Sequence, residues 1–434
     1  MFPRSDQLAQ FCRLAAVLLA CLWTAGCSLL PSQADIRSYH ESTVLRGHVH
    51  SAPGDIGRVI VAAYSTESGQ PDVADAAQLD SSGDFELFVP RGLYRVAAFL
   101  DRNANATLDP GEPCGLAVGS QAASVGRKVL DIELAGPATV CALPWGTKFT
   151  GPEGGPPRRA QAGVIGHLDD APNSSARGRD GYWNPMKALR AVGSNVFLIE
   201  PYDEARVPII FVHGAAGSPQ DWRYFIEHID RRRYQPWIFR YPSGAALAKC
   251  AELLFWQLEN LQAKLQPTTA VIVAHSMGGM VVRELLVKHG AQLPAIRQFV
   301  SLSTPWGGDP FAVIGVELSP TVIPSWIDMT PNGDFIRALF SSALPAGIEH
   351  HLFFGYRGPP GRRGSNSDGT VTLASQLSWR AQAEAVTVRG FDEDHESILS
   401  SPRVMQEFDR LLAGLVPAPA LAPGMPRPTS RGAR

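Results

Sequence analysis

The segment Val271-Ile272-Val273-Ala274-His275-Ser276-Met277-Gly278-Gly279-Met280-Val281-Val282 joins a β-branched run to an apolar helical start through small residues. β-Branched side chains suit a pleated strand, whereas glycines let the backbone turn sharply and approach its neighbours closely. A strand that passes into a helix within so few residues is half of a βαβ unit, and the next strand then returns parallel to the first. The surrounding chain repeats the theme. Apolar runs at Ile209–Val212, Trp237–Arg240, Ala270–Ala274, Phe299–Leu302, Leu352–Phe354 and Ala385–Val388 alternate with helical stretches near Asp221–Ile229, Ala245–Leu265 and Met277–His289. This alternation predicts an α/β domain over residues 187–415, a mostly parallel sheet flanked by helices.

Residues 44–141 follow another pattern. Short alternating runs at Val44–Val49, Arg58–Tyr64, Phe85–Val89, Tyr94–Leu100 and Val129–Leu134, broken by turn residues, predict a smaller N-terminal antiparallel β-sandwich. The stretches Ser82-Gly83-Asp84-Phe85 and Pro90-Arg91-Gly92-Leu93-Tyr94-Arg95-Val96, with Asp101, resemble the transthyretin-like or carboxypeptidase-regulatory-like modules of exported proteins. Residues 142–186, rich in Gly, Pro and Arg, read as a linker, and the Pro-rich residues 416–434 as a disordered tail. A net charge of −2 with 18% charged residues excludes a basic nucleic-acid binder, and no apolar run reaches the length of a polytopic protein's spans.

Within the sandwich, Asp101, Asn103, Asn105, Thr107, Asp109 and Glu112 stand at positions 1, 3, 5, 7, 9 and 12 of a loop, the spacing of oxygen ligands around calcium in an EF-hand. Position 6, where the sharp turn wants Gly, is Ala106, and the flanks are not helical. Two readings stay open, a structural Ca2+ site and an Asx-rich β-turn.

The N-terminus carries Arg4 and Arg13, then an apolar run from Leu14 to Trp23, then Thr24-Ala25-Gly26-Cys27. A basic start, an apolar stretch and small residues make an export signal over residues 1–26. The Ala-Gly-Cys ending resembles a bacterial lipoprotein processing site. That resemblance implies acylation of Cys27, a tether over residues 27–43, and attachment to the outer membrane of a cell envelope, which Ser28 would favour. Cys12 and Cys21 would leave with the signal. In an oxidising compartment Cys114 and Cys141 have the option of pairing, with Cys250 a buried odd thiol.

The strand, turn and helix around Ser276 have the form of a nucleophile elbow, with Ala274 in place of the first Gly of G-x-S-x-G. Together with Phe211-Val212-His213-Gly214-Ala215-Ala216-Gly217-Ser218 after an upstream strand, it resembles the α/β-hydrolase fold, in particular bacterial lipases and GPI-inositol-deacylase-like hydrolases. The resemblance implies a nucleophile at Ser276 and oxyanion donors at the Ala215 and Met277 amides, with His213 structural. It also implies an acid and a base in that chain order after the last two strands. Asp368 in Ser365-Asn366-Ser367-Asp368-Gly369-Thr370-Val371 and His395 in Asp392-Glu393-Asp394-His395 occupy those places. His350 and His351 are runner-up bases, and Asp392 and Asp394 runner-up acids.

After Thr304-Pro305-Trp306-Gly307-Gly308, residues 309–348 carry Phe311, Val313, Ile314, Val322, Ile323, Trp326 and Ile327, readable as an acyl pocket, a lid or helix-packing core. Trp222 reads equally as pocket lining or buried structure. The leading expectation is a serine hydrolase of small-molecule or lipid carboxylic esters, lipase- or esterase-like, needing no metal or organic cofactor for its chemistry. An amidase, peptidase or acyltransferase of the same fold, or an envelope-binding lipoprotein with a vestigial triad, are the alternatives.

Overall fold

The structure, a computed structural model, describes residues 32–52, 57–67, 71–117, 121–123, 129–134, 143–151, 154–358 and 366–415. The expected signal, the Cys27 attachment point, Cys12, Cys21, Cys141 and the tail 416–434 lie outside the described residues.

The N-terminal region is rich in strands: β1 (Ser42–His50), β2 (Arg58–Ser65), β3 (Asp72–Leu79), β4 (Gly83–Pro90), β5 (Gly92–Asp101), β6 (Cys114–Leu116), β7 (Gln121–Ala123), β8 (Val129–Glu133) and β9 (Arg158–Arg159). Among the described residues they form two sheets, in the orders β4-β1-β8 and β6-β5-β2-β3-β9, with β7 on β5. Alternate residues explain their packing. Leu45, Val49, Phe85, Leu87 and Val89 from the smaller sheet meet Val59, Val61, Val96 and Ala98 from the larger in one core. The pairing is not purely antiparallel as expected, because β1 and β8, and β3 and β9, run parallel. Cys114 is buried and disulfide-bonded.

The Asp101–Glu112 loop is closed by its own hydrogen bonds. Both Asp101 oxygens accept backbone N–H groups, from Asn105 (3.1 Å) and Ala106 (3.0 Å). Glu112 accepts from Arg102 (2.9 Å) and Asp109 (3.0 Å), and the Asp109 carboxylate accepts from the Asn103 and Asn105 amides. Ala106 takes the left-handed φ of 55° that Gly would have adopted without strain. Among the described residues no three His, Cys, Asp or Glu side chains gather as a metal cage. The carboxylates are thus engaged by N–H groups of the loop itself, as in Asx turns.

The second sheet contains β10 (Asn195–Leu198), β11 (Val207–Val212), β12 (Tyr234–Arg240), β13 (Ala270–His275), β14 (Ile296–Leu302), β15 (Glu349–Gly355) and β16 (Ala385–Phe391). Among the described residues its order is β10-β12-β11-β13-β14-β15-β16, parallel except for the edge strand β10. Helices Leu247–Leu265 and Met277–His289 cover one face, with Leu254, Leu258, Val281 and Leu285 against Ile210 and Ile272. Arg223–His228 and Pro402–Ala413 cover the other, placing Phe225, Val404 and Phe408 on Phe211 and Val273. Burial on both faces is why these strands read as continuous apolar runs. No helix among the described residues is long and apolar enough to cross a membrane.

Two expected connectors are ordered instead. Gln33–Glu41 of the expected tether is a helix, whose Asp35 accepts the N–H groups of Met186 (3.0 Å) and Lys187 (2.7 Å) at the start of another helix. In the expected linker 142–186, β9 extends the sandwich and Ser175–Trp183 is helical. The physical reason is long-range pairing. Arg158 lies buried with both Nη atoms on Asp75, at 2.7 Å each, and also donates to the Glu86 carbonyl (2.8 Å). Asp84 accepts the Ala162 N–H at 3.1 Å.

The outward face of β1 and β4 is therefore a buried interface with the α/β domain. Arg46 joins Glu86 (2.8 Å) to the Glu252 carbonyl (3.3 Å), and Ser194 donates to Glu86 (3.1 Å). Burial raises the Glu86 carboxyl above its ordinary range, against the lowering effect of Arg46. Removing one partner of a buried ion pair strands the other's charge. Asp75→Ala should thus cost about 3–5 kcal/mol, read as a lower urea midpoint, while Asp75→Leu with Arg158→Met recovers most of it. An unchanged midpoint in Asp75→Ala would show that Asp75–Arg158 does not hold this region.

Candidate active site

Ser276 occupies the turn between β13 and the helix Met277–His289 with φ 53° and ψ −132°, outside the regions L-residues favour. Its N–H donates to the Leu302 carbonyl (2.8 Å), tying the turn to β14. A side chain at Gly278 would collide with the carbonyl of His213, so only Gly lets the helix start this close to the preceding loop. Ala274, where the motif's first Gly was expected, is fully buried without breaking the elbow.

Two distant loops close on this turn. The His395 ring lies with Nε2 2.9 Å from Ser276 Oγ and Nδ1 2.7 Å from Asp368 Oδ2. Asp368 is wholly buried, and its other oxygen accepts the N–H groups of Thr370 (3.0 Å) and Val371 (2.7 Å). Two backbone donors and the His395 ring hold the carboxylate, an arrangement that favours the tautomer with its proton on Nδ1 and Nε2 facing Ser276. The His395 N–H donates to the Asp368 carbonyl (2.9 Å), so the two candidate residues also share a backbone link.

The candidate oxyanion loop follows β11. His213 is buried, stacked on Tyr241 with ring centroids 4.3 Å apart, and its carbonyl accepts the Tyr241 hydroxyl at 2.6 Å. Burial holds its imidazole below the usual histidine range, which suits a structural residue. Ala216 adopts φ 54° and donates to Ser243 Oγ (2.9 Å). The neighbouring Ala215 amide and the Met277 amide donate to no group among the described residues. Ala215 lines, with Ser276, Gly214, Tyr224, His395 and Leu399, a cleft of about 800 Å³, and Met277 directly follows Ser276 in the chain.

The other candidates lie apart. Asp394 pairs with Arg357 (3.2 Å) and accepts the Ser397 N–H (2.7 Å). Trp222 is fully buried between Phe211 and Phe225. Phe311, Ile314 and Ile327 are exposed, whereas Ile323 is buried and Trp326 packs against Gly315, so the 309–348 apolar set divides between surface and core. His275 escaped the sequence reading. Its Nε2 donates to the His395 carbonyl at 2.8 Å, and the two rings lie 4.7 Å apart. The signal available was its place beside the candidate nucleophile Ser276, at the end of β13 where the loops converge.

Residues 209–429 match the family model described as the alpha/beta hydrolase family, and the chain belongs to that family. No curated protein matches it in sequence. Similar solved structures include the mature Bacillus licheniformis lipase BlEst2, 19% identical, covering 50% of this chain and 97% of that one at a TM-score of 0.41. Aspergillus fumigatus lipase B is 16% identical over 50% and 55% of the two chains at 0.38. The Rhodococcus esterase RhEst1 is 15% identical over 51% and 94% at 0.34.

His350 and His351 sit in β15, buried within the sheet and away from Ser276. His350 Nε2 lies 2.9 Å from Ser301 Oγ and the ring stacks on Phe299, and burial, with nearby Arg283, lowers its pKa to about 3 from 6.5. Below pH 6.5 the unfolded chain takes up a proton that the folded chain refuses until about pH 3, so stability falls with pH across that window. His350→Phe should flatten the loss by up to about 1.4 kcal/mol per pH unit there, measured by denaturant midpoints. An unchanged slope would assign the acid sensitivity elsewhere.

Proposed function

We propose that this chain is an exported serine hydrolase that cleaves carboxylic esters, lipase- or esterase-like, and is held by a lipid on Cys27 at the outer membrane of a bacterial envelope. The observation that carries the reading is the unbroken hydrogen-bonded line Asp368–His395–Ser276 at a cleft that Ala215 also lines. The N-terminal sequence up to Cys27 supports the address.

In this reading Ser276 Oγ attacks the ester carbonyl carbon while His395 Nε2 takes its proton. The charge that develops on the carbonyl oxygen meets the Ala215 and Met277 N–H groups, already oriented and requiring no reorganisation. Asp368 stabilises the imidazolium and holds its tautomer. Collapse expels the alcohol, which receives the proton from His395, and water then releases the acid from the acyl-serine by the same route in reverse.

Ser276→Ala should abolish both ester turnover and labelling by an active-serine phosphonate, a loss of at least about 10³-fold in kcat. Full activity in that variant would sink the mechanism. His275 is a positioning residue in this scheme. His275→Phe should lower kcat roughly 10–100-fold with little change in KM, and His275→Gln, which keeps a donor, should recover part of it. Equal loss in both variants would mean that packing, not the hydrogen bond, is what matters.

A further inference from the structure

The helix Pro310–Leu318 exposes Phe311 (59%), Ile314 (48%) and Leu318 (70%), which recur at helical spacing along one face. Ile327 (52% exposed) extends the patch from the neighbouring helix Pro324–Met329, whose Trp326 packs on Gly315. Contiguous large apolar side chains left open to water are costly unless something covers them.

The path of the chain says what does. Trp326 donates to the Tyr182 hydroxyl (2.6 Å) and its ring meets Trp183 edge-on at 6.0 Å. The next residue, Asn184, accepts the N–H of Ser32 at 3.4 Å, where the described chain begins. Cys27 lies five residues earlier in sequence, a reach of at most roughly 17 Å. Ser32, the described residue nearest in sequence to the candidate lipid attachment, is thus connected through Asn184, Trp183 and Trp326 to the helices that carry the patch. The catalytic cleft is near as well, since Asp309, which caps this helix through the Phe311 N–H (2.9 Å), lies within electrostatic reach of His395.

We propose that the Phe311, Ile314, Leu318 and Ile327 face docks on the lipid bilayer to which Cys27 is attached. The proposal rests on the reading of Cys27 as a lipid site and makes the substrates esters presented by the membrane itself. The short arm between Cys27 and Ser32 holds the patch at the surface. The apolar face then enters the headgroup and acyl boundary, and Ser276 opens beside it.

The test is hydrogen–deuterium exchange of the full chain with and without phosphatidylcholine vesicles, for the wild type, Cys27→Ser, and the triple variant Phe311→Ser, Ile314→Ser, Leu318→Ser. Exchange over 310–318 and 324–329 should slow roughly tenfold on vesicles in the wild type and Cys27→Ser, and not in the triple variant. The triple variant should still turn over a soluble short-chain ester at the wild-type rate. Unchanged exchange in these segments on vesicle-bound wild type overturns the proposal. So does slowing that follows protein concentration without vesicles, which would make the occupant a second copy of the chain. Intact mass at Cys27 and turnover of the soluble ester report separately on the anchor and on the hydrolase reading.

Discussion

Ser276 is held where an L-residue resists going, at a cost of order 1–3 kcal/mol, and the surrounding structure exists in large part to keep it there. Its N–H is tied to Leu302, the helix behind it approaches the His213 carbonyl too closely for any side chain at Gly278, and His275 reaches to the His395 carbonyl. Each tie comes from a different strand end of the same sheet. A packed parallel sheet is stiff enough to oppose the strain, which a free turn would relax.

The same turn organises the electrostatics. Asp368 is wholly buried, an expensive place for a carboxylate, yet three hydrogen bonds compensate it. Those donors belong to its own loop and to His395, so the folded loop also brings His395 into line with Ser276. The backbone link from His395 to the Asp368 carbonyl closes the circle.

The N-terminal sheets are joined to this domain by polar contacts rather than by a purely apolar seam. Arg46 and Glu86 reach across the seam, to the Glu252 carbonyl and to Ser194, while Asp75 and Arg158 pair within the N-terminal sheets beside it. Such an interface specifies one orientation, since a slipped arrangement would leave buried charges unpaired. It also explains why segments that resemble a tether and a linker are ordered. Their polar side chains are partners, not solvated surface.

Strands buried on both faces announce themselves as β-branched runs, and the elbow announces itself because its geometry is local and demands small residues at fixed positions. That much of the α/β domain, together with Ser276, was legible residue by residue. β3, with two Asp and three Ala among its eight residues, β9, with two Arg, and the short β10 carry no such period, because they are stabilised by partners far away in sequence. His395 and Ser276 are 119 residues apart, so their sequence order suggested a relation that the sheet alone turns into a 2.9 Å contact. The sequence by itself determined the local periods, the sharp turn and the kinds of side chain available. Tertiary structure decided which polar atoms meet, because a hydrogen bond between distant residues leaves no trace in either neighbourhood until the sheet and its loops bring them together.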